Sequence, residues 1–278
     1  MSDITVVILT YNEARNIGDC LRHLAWADDV ILVDSGSLDN TIQIARECRP
    51  DVRVLENPFE DFGQQRNWAL DNISPHRGWI LFLDADEHAT ESFANAVQEA
   101  IRKDSPVVGY FLTYRNMFLG TWLKRSTFYP SWQLRLLRHG HMRYRKEGHG
   151  QSELTNGPLG YIERPYDHFP FQNGLKRWIA KHNEYSSSEC ELVLRLRAEP
   201  LRLADLFSQN KVVRRRALKQ IASRMWFRPT LRFLYTYLFR MGCLDGRAGY
   251  IYCRLMAQYE FQLLAKLAET KHELRSGT

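Results

Sequence analysis

The sequence predicts an α/β fold in which helices cover both faces of a mostly parallel sheet. Two observations favour this class: short apolar, β-branched runs recur along the N-terminal third of the chain, and helical stretches separate them. Apolar runs of about five residues are typical of buried strands. Strands that alternate with helices favour a parallel sheet. With 278 residues, 44% of them hydrophobic, the chain is long enough for one large domain and a C-terminal extension.

The elements of the predicted sheet follow one another in a regular order. Each strand is short and apolar, and each helix begins near a residue that favours a turn or a cap. The predicted strands are Ile4 to Thr10, Val30 to Val33, Val52 to Glu56, and the apolar start of Trp79 to Glu87. The predicted helices between them are Arg15 to Ala25, a helix that Asp39 caps, and Phe62 to Asn72.

Polar segments follow three of these strands at the point where each strand ends. They are Tyr11 to Glu13, Asp34 to Thr41, and the carboxylates Asp84, Asp86 and Glu87. In open α/β sheets ligands gather beyond the carboxyl ends of the strands. Alternate residues of an extended chain share a face, so we expect Asp84 and Asp86 to address one hard cation such as Mn²⁺ or Mg²⁺. A solvated loop after a strand is the alternative for these two carboxylates alone.

The motifs TYNE, DSGSxDxT and LDADE, in this order and at this spacing, resemble glycosyltransferase family two, which has the GT-A fold. The resemblance implies a donor site for a nucleotide sugar, with a UDP-sugar favoured, and a metal on its diphosphate. The implied contacts to the base and ribose are Thr10, Tyr11, Glu13 and Asp34, and the implied contacts to the ribose and the metal are Asp84 and Asp86. Asp39 is left out of this site because a helix cap explains it equally well.

Further segments extend the resemblance along the chain. In FGQQRNWAL, Phe62 to Leu70, Arg66 matches a basic residue that faces the donor diphosphate, and a surface position on the helix is its alternative. Downstream, WQLRLLRHG, HNEYSSSEC and GCLDGRAGYIYC look like a branch that includes lipopolysaccharide-core and surface-polysaccharide glycosyltransferases. The resemblance implies an inverting transfer to a lipid-linked or surface-polysaccharide acceptor. Arg135 and Arg138 do not share a strand face, so at most one of them is expected to reach the substrate.

Transfer also requires a base for the incoming hydroxyl group, within hydrogen-bond reach of the acceptor. The segment from Arg143 to Glu153 offers Glu147 as the base, with His149 as a metal ligand or an acceptor contact. The resembling branch usually has a histidine followed directly by glutamate here, whereas Gly150 follows His149. A hydrogen-bonded loop histidine is the alternative for His149. The histidines near this segment have no cysteine beside them and no familiar zinc spacing, so we do not expect a zinc site here.

Charge is divided unevenly along the chain. Residues 1–100 contain 7 Lys/Arg and 18 Asp/Glu, whereas the remainder contains 31 and 14. Lys211 to Arg228 has the pattern of a basic amphipathic helix, and the apolar stretch after it is interrupted by Arg232 and Arg240. We therefore expect this region to lie on an anionic membrane surface without crossing it. The alternative is that these helices pack on the catalytic domain or on a second subunit.

These observations predict a catalytic domain over residues 1–170, with a donor half over about 1–105 and an acceptor half over about 106–170. A helical, amphipathic region follows over 171–278. Five cysteines without a CxxC pair and the lack of a signal-peptide pattern favour the cytoplasm, at the inner face of the cytoplasmic membrane. No partner nucleic acid is expected. A sugar nucleotidyltransferase and a non-catalytic lipid- or nucleic-acid-binding module remain the alternatives.

Overall fold

The computed structural model describes residues 3–73, 78–147 and 150–276. Two compact units make up the chain: the first contains residues 1–124 and 128–175, and the second contains residues 125–127 and 176–278. The helices of the first unit are α1 (Ile17–Arg22), α2 (Thr41–Cys48), α3 (Phe62–Asn72) and α4 (Glu91–Arg102). Its strands are β1 (Ile4–Thr10), β2 (Asp29–Asp34), β3 (Arg53–Glu56), β4 (Trp79–Asp84), β5 (Glu87–His88), β6 (Gly109–Phe118), β7 (Thr121–Trp122), β8 (Trp132–Arg138), β9 (Met142–Glu147), β10 (Gly150–Thr155) and β11 (Leu159–His168).

Nine of these strands form one sheet in the order β3, β2, β1, β4, β8, β6, β11, β5, with β7 paired to β6. The strand pairs show that β3, β2, β1, β4, β6 and β11 run in one direction, whereas β8, β5 and β7 oppose them. The predicted α/β fold with a mostly parallel sheet is confirmed. β9 and β10 form a separate antiparallel hairpin.

Helices cover both faces of the sheet, which explains why the central strands are apolar throughout. Along β1, Val6 and Ile8 belong to one core and Val7 to the other, as the alternation of an extended chain requires. Phe93 of α4 completes the first core, and Leu70 of α3 completes the second. Each of these side chains contributes roughly 1.5–3 kcal/mol by leaving water.

The limits of the helices follow from local hydrogen bonds. Asp61 caps α3 by accepting the N–H of Gln64 at 2.9 Å, and the helix has the predicted bounds. α1 is shorter than the predicted helix from Arg15 to Ala25. Turns replace the predicted helix at both ends: the carbonyl oxygen of Glu13 accepts the N–H groups of Asn16 and Ile17 before α1, and residues 23–26 form a turn after it.

The second unit is helical. Its helices are α5 (Leu175–Ala198), which begins at the last residue of the first unit, α6 (Lys211–Arg224), α7 (Arg228–Leu234) and α8 (Gly246–Ser276). Short turns of other helix types lie at Leu203–Phe207, Tyr235–Phe239 and Gly242–Asp245. A small core between α5 and α8 consists of Cys190, Val193, Leu263 and Leu267. No helix in the described part of the chain is both long and apolar enough to cross a membrane.

Helix α6 packs on α5 through a more polar face than its sequence pattern predicts. Gln220 is buried and its amide donates to the carbonyl oxygens of Leu196 and Glu199, at 3.1 and 2.8 Å. Ala217 and Ser223 are buried on the same helix. The large apolar residues Val212 and Leu218 of this helix, and Trp226 beyond its end, are instead exposed.

Candidate functional site

The carboxyl ends of three neighbouring parallel strands bring the predicted donor residues to one edge of the sheet. In the register of β1 with β2, Thr10 lies opposite Asp34. In the register of β1 with β4, Leu9 lies opposite Asp84. The three polar residues therefore end their strands at the same level, at the edge where open α/β sheets bind ligands.

Asp34 organises the turn that follows β2. One carboxylate oxygen accepts the hydroxyl groups of Thr10, at 2.9 Å, and Ser37, at 2.6 Å. The other accepts the backbone N–H groups of Gly36, at 3.0 Å, and Ser37, at 2.7 Å. Gly36 has a φ of 83°, a backbone conformation that favours glycine. Because Asp34 is buried, these four bonds hold the turn in one conformation.

The loop after β1 presents the other two predicted contacts. Tyr11 is 51% exposed at the sheet edge, and the Glu13 carboxylate accepts the side-chain amides of Asn16 and Asn173, at 2.5 and 2.9 Å. The side chain of Asp39 accepts the N–H of Thr41, the first residue of α2, at 3.0 Å. Asp39 therefore binds the start of the helix from the position before the N-cap, which is Asn40 and not the predicted Asp39.

Asp84, the last residue of β4, is held between two arginines. Arg135 of β8 donates to both carboxylate oxygens, at 3.3 and 2.8 Å, and Arg66 of α3 donates to one of them at 3.4 Å. Burial acts to raise the pKa of Asp84, but the two guanidinium groups outweigh it and hold that pKa below its ordinary range. The same burial opposes the charge of Arg135, yet Asp84 and Glu87 raise its pKa well above the usual value.

Arg66 is not a surface residue of its helix. It is 3% exposed, and its guanidinium lies 5.7 Å from the ring centre of Phe82 and 5.8 Å from that of Tyr144. Burial and the positive charge of Arg135 lower its pKa from the ordinary value. The alternative of an exposed helix position is therefore wrong, and Arg66 belongs to the group around Asp84.

Glu87 supports the segment that carries the two aspartates. One of its oxygens accepts the backbone N–H of Asp84 at 2.9 Å, and the other accepts the hydroxyl of Tyr166 at 3.2 Å and lies 3.6 Å from Arg135. Burial raises the pKa of Glu87 to about 7, against the opposing charge of Arg135. Burial also raises the pKa of the Tyr166 hydroxyl, which keeps that group a donor.

Asp86 faces a histidine that the sequence analysis does not include. Ala85 and Asp86 form a turn after β4, so the alternation of an extended chain ends at Asp84. The Asp86 carboxylate lies 3.5 Å from Nε2 of His168, at the end of β11. Burial acts against the charge of that ring, but Asp86 raises the pKa of His168 above its ordinary value.

The second nitrogen of His168 fixes the orientation of the ring. Nδ1 lies 2.9 Å from the side-chain oxygen of Asn116, which accepts its hydrogen. Nε2 is then directed at Asp86, and a carboxylate with an imidazole nitrogen is a donor pair that suits Mn²⁺. Both side chains are partly exposed, at 26% for Asp86 and 22% for His168, which leaves access for further oxygen ligands. Among the described residues no cluster of three or more His, Cys, Asp or Glu side chains is arranged to hold a metal.

The predicted base cannot be placed with this group. Glu147 is the last residue of β9, where its side chain is outside the described part of the structure, and His149 lies outside the described residues altogether. Arg138, the second arginine of β8, lies 5.1 Å from the ring centre of Trp79 and away from Asp84. Of the two arginines on this strand, Arg135 alone is seen beside Asp84 in the described structure.

A model of the family described as glycosyl transferase family 2 matches residues 5–169, which is more than half of the chain. Among curated proteins, the chain is 25% identical to the lipopolysaccharide core biosynthesis glycosyltransferase LpsC of Rhizobium meliloti. That similarity covers 98% of this chain and 94% of LpsC. It therefore extends through both units.

Solved structures show lower similarity. TarS from S. aureus has a TM-score of 0.48 at 15% identity, over 100% of this chain and 92% of that chain. A glucosyl-3-phosphoglycerate synthase from Mycobacterium tuberculosis, in complex with Mn²⁺ and UDP-glucose, has a TM-score of 0.35 at 22% identity. It covers 41% of this chain and 44% of that chain.

Proposed function

The chain belongs to glycosyl transferase family 2 and is a glycosyltransferase, and we propose that it is a metal-dependent, inverting enzyme that uses a nucleotide-diphosphate sugar, with a UDP-sugar favoured. The observation that carries the proposal is the arrangement at the end of β4. Two buried arginines flank Asp84. Asp86, two residues further along the chain, faces a histidine. A diphosphate leaving group needs this combination of positive charge and a metal site.

A divalent cation, Mn²⁺ or Mg²⁺, would be held by Asp86 and His168 and would supply positive charge to the diphosphate as the bond to the sugar breaks. Asn116 acts through His168, because it sets which ring nitrogen is available. Asp84 is proposed to have a second role besides the predicted contact with the ribose and the metal. Its two oxygens orient Arg66 and Arg135 toward the donor edge.

The nucleoside would occupy the edge formed by the loops after β1 and β2. Asp34 holds the turn through Gly36 and Ser37, and Tyr11 is exposed beside it. Glu13 fixes the loop after β1 through Asn16. A ring at Tyr11 and a rigid loop are what a base and ribose require for a defined orientation.

Glu147 is proposed as the base that takes the proton of the acceptor hydroxyl, and His149 as its neighbour at the acceptor. Inversion requires one displacement at the anomeric carbon, so the base acts once and no covalent sugar-enzyme intermediate forms. The Glu147→Gln variant is expected to retain donor binding and lose transfer. Normal transfer by that variant would assign the base to another residue.

The first unit is proposed as the catalytic domain, and the acceptor as a lipid-linked glycan or lipopolysaccharide at the inner face of the cytoplasmic membrane. Support for this acceptor class comes from the lipopolysaccharide core biosynthesis glycosyltransferase LpsC, which the chain matches over nearly its whole length. The basic second unit supports a location at an anionic surface.

The test combines donor binding with transfer. Thermal shift against UDP, GDP, CMP and dTDP sugars with Mn²⁺ identifies the donor, since a ligand of the folded state raises stability. Asp86→Asn is expected to lose Mn²⁺-dependent binding of that donor together with transfer. The matched control is Asp104→Asn, the same change at an exposed position after α4. It is expected to keep both donor binding and transfer. Full transfer in the presence of a strong chelator would overturn the metal role.

A further inference from the structure

The helical segment from Arg228 to Phe239 in the second unit presents large apolar side chains to solvent. It consists of α7 and the helical turn Tyr235–Phe239 that continues it. The exposed residues include Leu231, Leu234, Leu238 and Phe239, at 41, 38, 54 and 81% exposure. Leu231, Leu234 and Leu238 are spaced by three and four residues, and Phe239 follows Leu231 by eight, so these four side chains form a stripe along one face of the helical segment. We refer to them as the α7 stripe.

Other side chains of this segment fix it to α8. Phe233 meets the ring of Tyr250 edge to face, with 6.0 Å between ring centres. Arg228 pairs with the buried Glu260 at 2.6 Å, and Arg232 lies 3.9 Å from the same carboxylate. The segment is therefore attached to α8 through polar and aromatic side chains, whereas the residues of the α7 stripe remain exposed.

The charge around the stripe defines the kind of partner that fits it. Residues 206–244 contain nine Lys or Arg and no Asp or Glu. Within the same stretch, Arg214 and Arg215 of α6 are exposed, as are the apolar residues Val212 and Trp226. A surface that is both anionic and apolar complements this composition, and the surface of an anionic bilayer has both properties.

A second copy of the chain complements it poorly. Four of the nine cationic residues pair with carboxylates outside the stretch: Arg216 with Glu199, Lys219 with Glu189, and Arg228 and Arg232 with Glu260. Two copies that met through this face would still bring together the other five from each chain, ten in all. Like charges at an interface oppose association.

We propose that the α7 stripe lies in the surface of an anionic bilayer, with exposed cations of the second unit, such as Arg214 and Arg215 of α6, at the level of the headgroups. The inference deepens the proposed membrane location and rests on it for the acceptor. It assigns attachment to a defined face of the second unit. The first unit needs no apolar contact with lipid for this attachment.

Vesicle flotation of the full chain tests the assignment. Vesicles of phosphatidylcholine alone are compared with vesicles of equimolar phosphatidylcholine and phosphatidylglycerol, at low and high salt. The wild-type protein is expected to float with the anionic vesicles and to lose binding as salt rises. The double variant Leu234→Ser and Leu238→Ser is expected to bind the anionic vesicles at least about tenfold more weakly than the wild type, because it removes two apolar anchors.

The matched control carries the same substitutions at Leu192 and Leu203, which are 36 and 62% exposed on α5 and on the short helical turn after it. It is expected to float like the wild type. Both variants are expected to fold, since all four leucines are at the surface. Melting curves check this. Equal flotation of the stripe variant and the wild type overturns the proposal.

Three other results also overturn it. They are failure of the wild type to bind anionic vesicles, equal binding to neutral vesicles, and a wild-type dimer that the stripe variant converts to a monomer. Turnover of the sugar nucleotide without vesicles is measured on the same samples. Loss of flotation with normal turnover supports the stripe. If flotation depends on the stripe but the protein turns over no sugar nucleotide, the proposed enzyme function is rejected and the assignment of the stripe is kept.

Discussion

Arg135 donates to both carboxylate oxygens of Asp84, at 3.3 and 2.8 Å, and lies 3.6 Å from Glu87. The arginine is 6% exposed, so one buried cation serves two carboxylates that the chain places three residues apart. Asp84 and Glu87 would repel each other in a water-poor site without it. Arg135, on the antiparallel strand β8, therefore stabilises the conformation of the chain at the end of β4.

We expect Arg135→Met to reduce the free energy of unfolding by about 3 kcal/mol, because removal of one partner leaves buried carboxylates unpaired. Urea denaturation measures the change. Arg138→Met on the same strand is the control. Its guanidinium lies over Trp79 and not on a carboxylate, so about 1 kcal/mol is expected there. Equal losses in the two variants would contradict the role given to Arg135.

Asn116 is expected to act as a positioning residue for the metal site. The Asn116→Ala variant removes the acceptor of the His168 Nδ1 hydrogen, and Mn²⁺ affinity in the presence of UDP should fall by about 10- to 100-fold. Titration calorimetry gives the affinity. Asn116→Asp keeps an acceptor at that position and is expected to restore most of it. Asn72→Ala, at an exposed site on α3, should leave the affinity unchanged.

The turn after β2 should depend on the charge of Asp34. In Asp34→Asn an amide group replaces one of the oxygens that accept from Thr10, Gly36 and Ser37. We expect the free energy of unfolding to fall by about 2 kcal/mol, since bonds to a charged acceptor are lost. UDP affinity should fall with it. Asp51→Asn, an exposed site, should change stability by less than about 0.5 kcal/mol.

Two buried tyrosines should respond in opposite ways to loss of the hydroxyl. The hydroxyl of Tyr144 has no hydrogen-bond partner among the described residues, whereas that of Tyr166 donates to Glu87 at 3.2 Å. Tyr144→Phe should therefore leave stability unchanged or raise it by up to about 1 kcal/mol, and Tyr166→Phe should lower it by about 1 kcal/mol. Denaturation curves decide, and a larger loss for Tyr144→Phe would refute the assignment.

Much of the fold follows from local sequence. The apolar runs of β1 and β2 identify their strands, and Asp61 marks the start of α3. These signals involve residues within a few positions of each other. Such signals can be recognised without knowledge of distant contacts. The donor edge with Thr10, Asp34 and Asp84 is predictable for this reason.

The rest of the site depends on pairs that are distant in sequence. Arg135 reaches Asp84 across 51 positions, and Tyr166 reaches Glu87 across 79. His168 stands in the segment YDHFP without a ligand spacing that marks it. Neither composition nor periodicity predicts that β8 enters between β4 and β6, and this placement is what delivers Arg135.

That placement of β8 bears on how the enzyme is assembled during folding. The parallel strands β1 to β4 come from consecutive segments, but the edge they form lacks Arg135 and His168 until β8 and β11 have joined the sheet. Contacts of such long range form late and slow the folding of a domain. A nascent chain that has emerged only as far as β4 would thus offer Asp84 only Arg66 and would lack the histidine that faces Asp86. Competence for the donor arises together with the completed sheet.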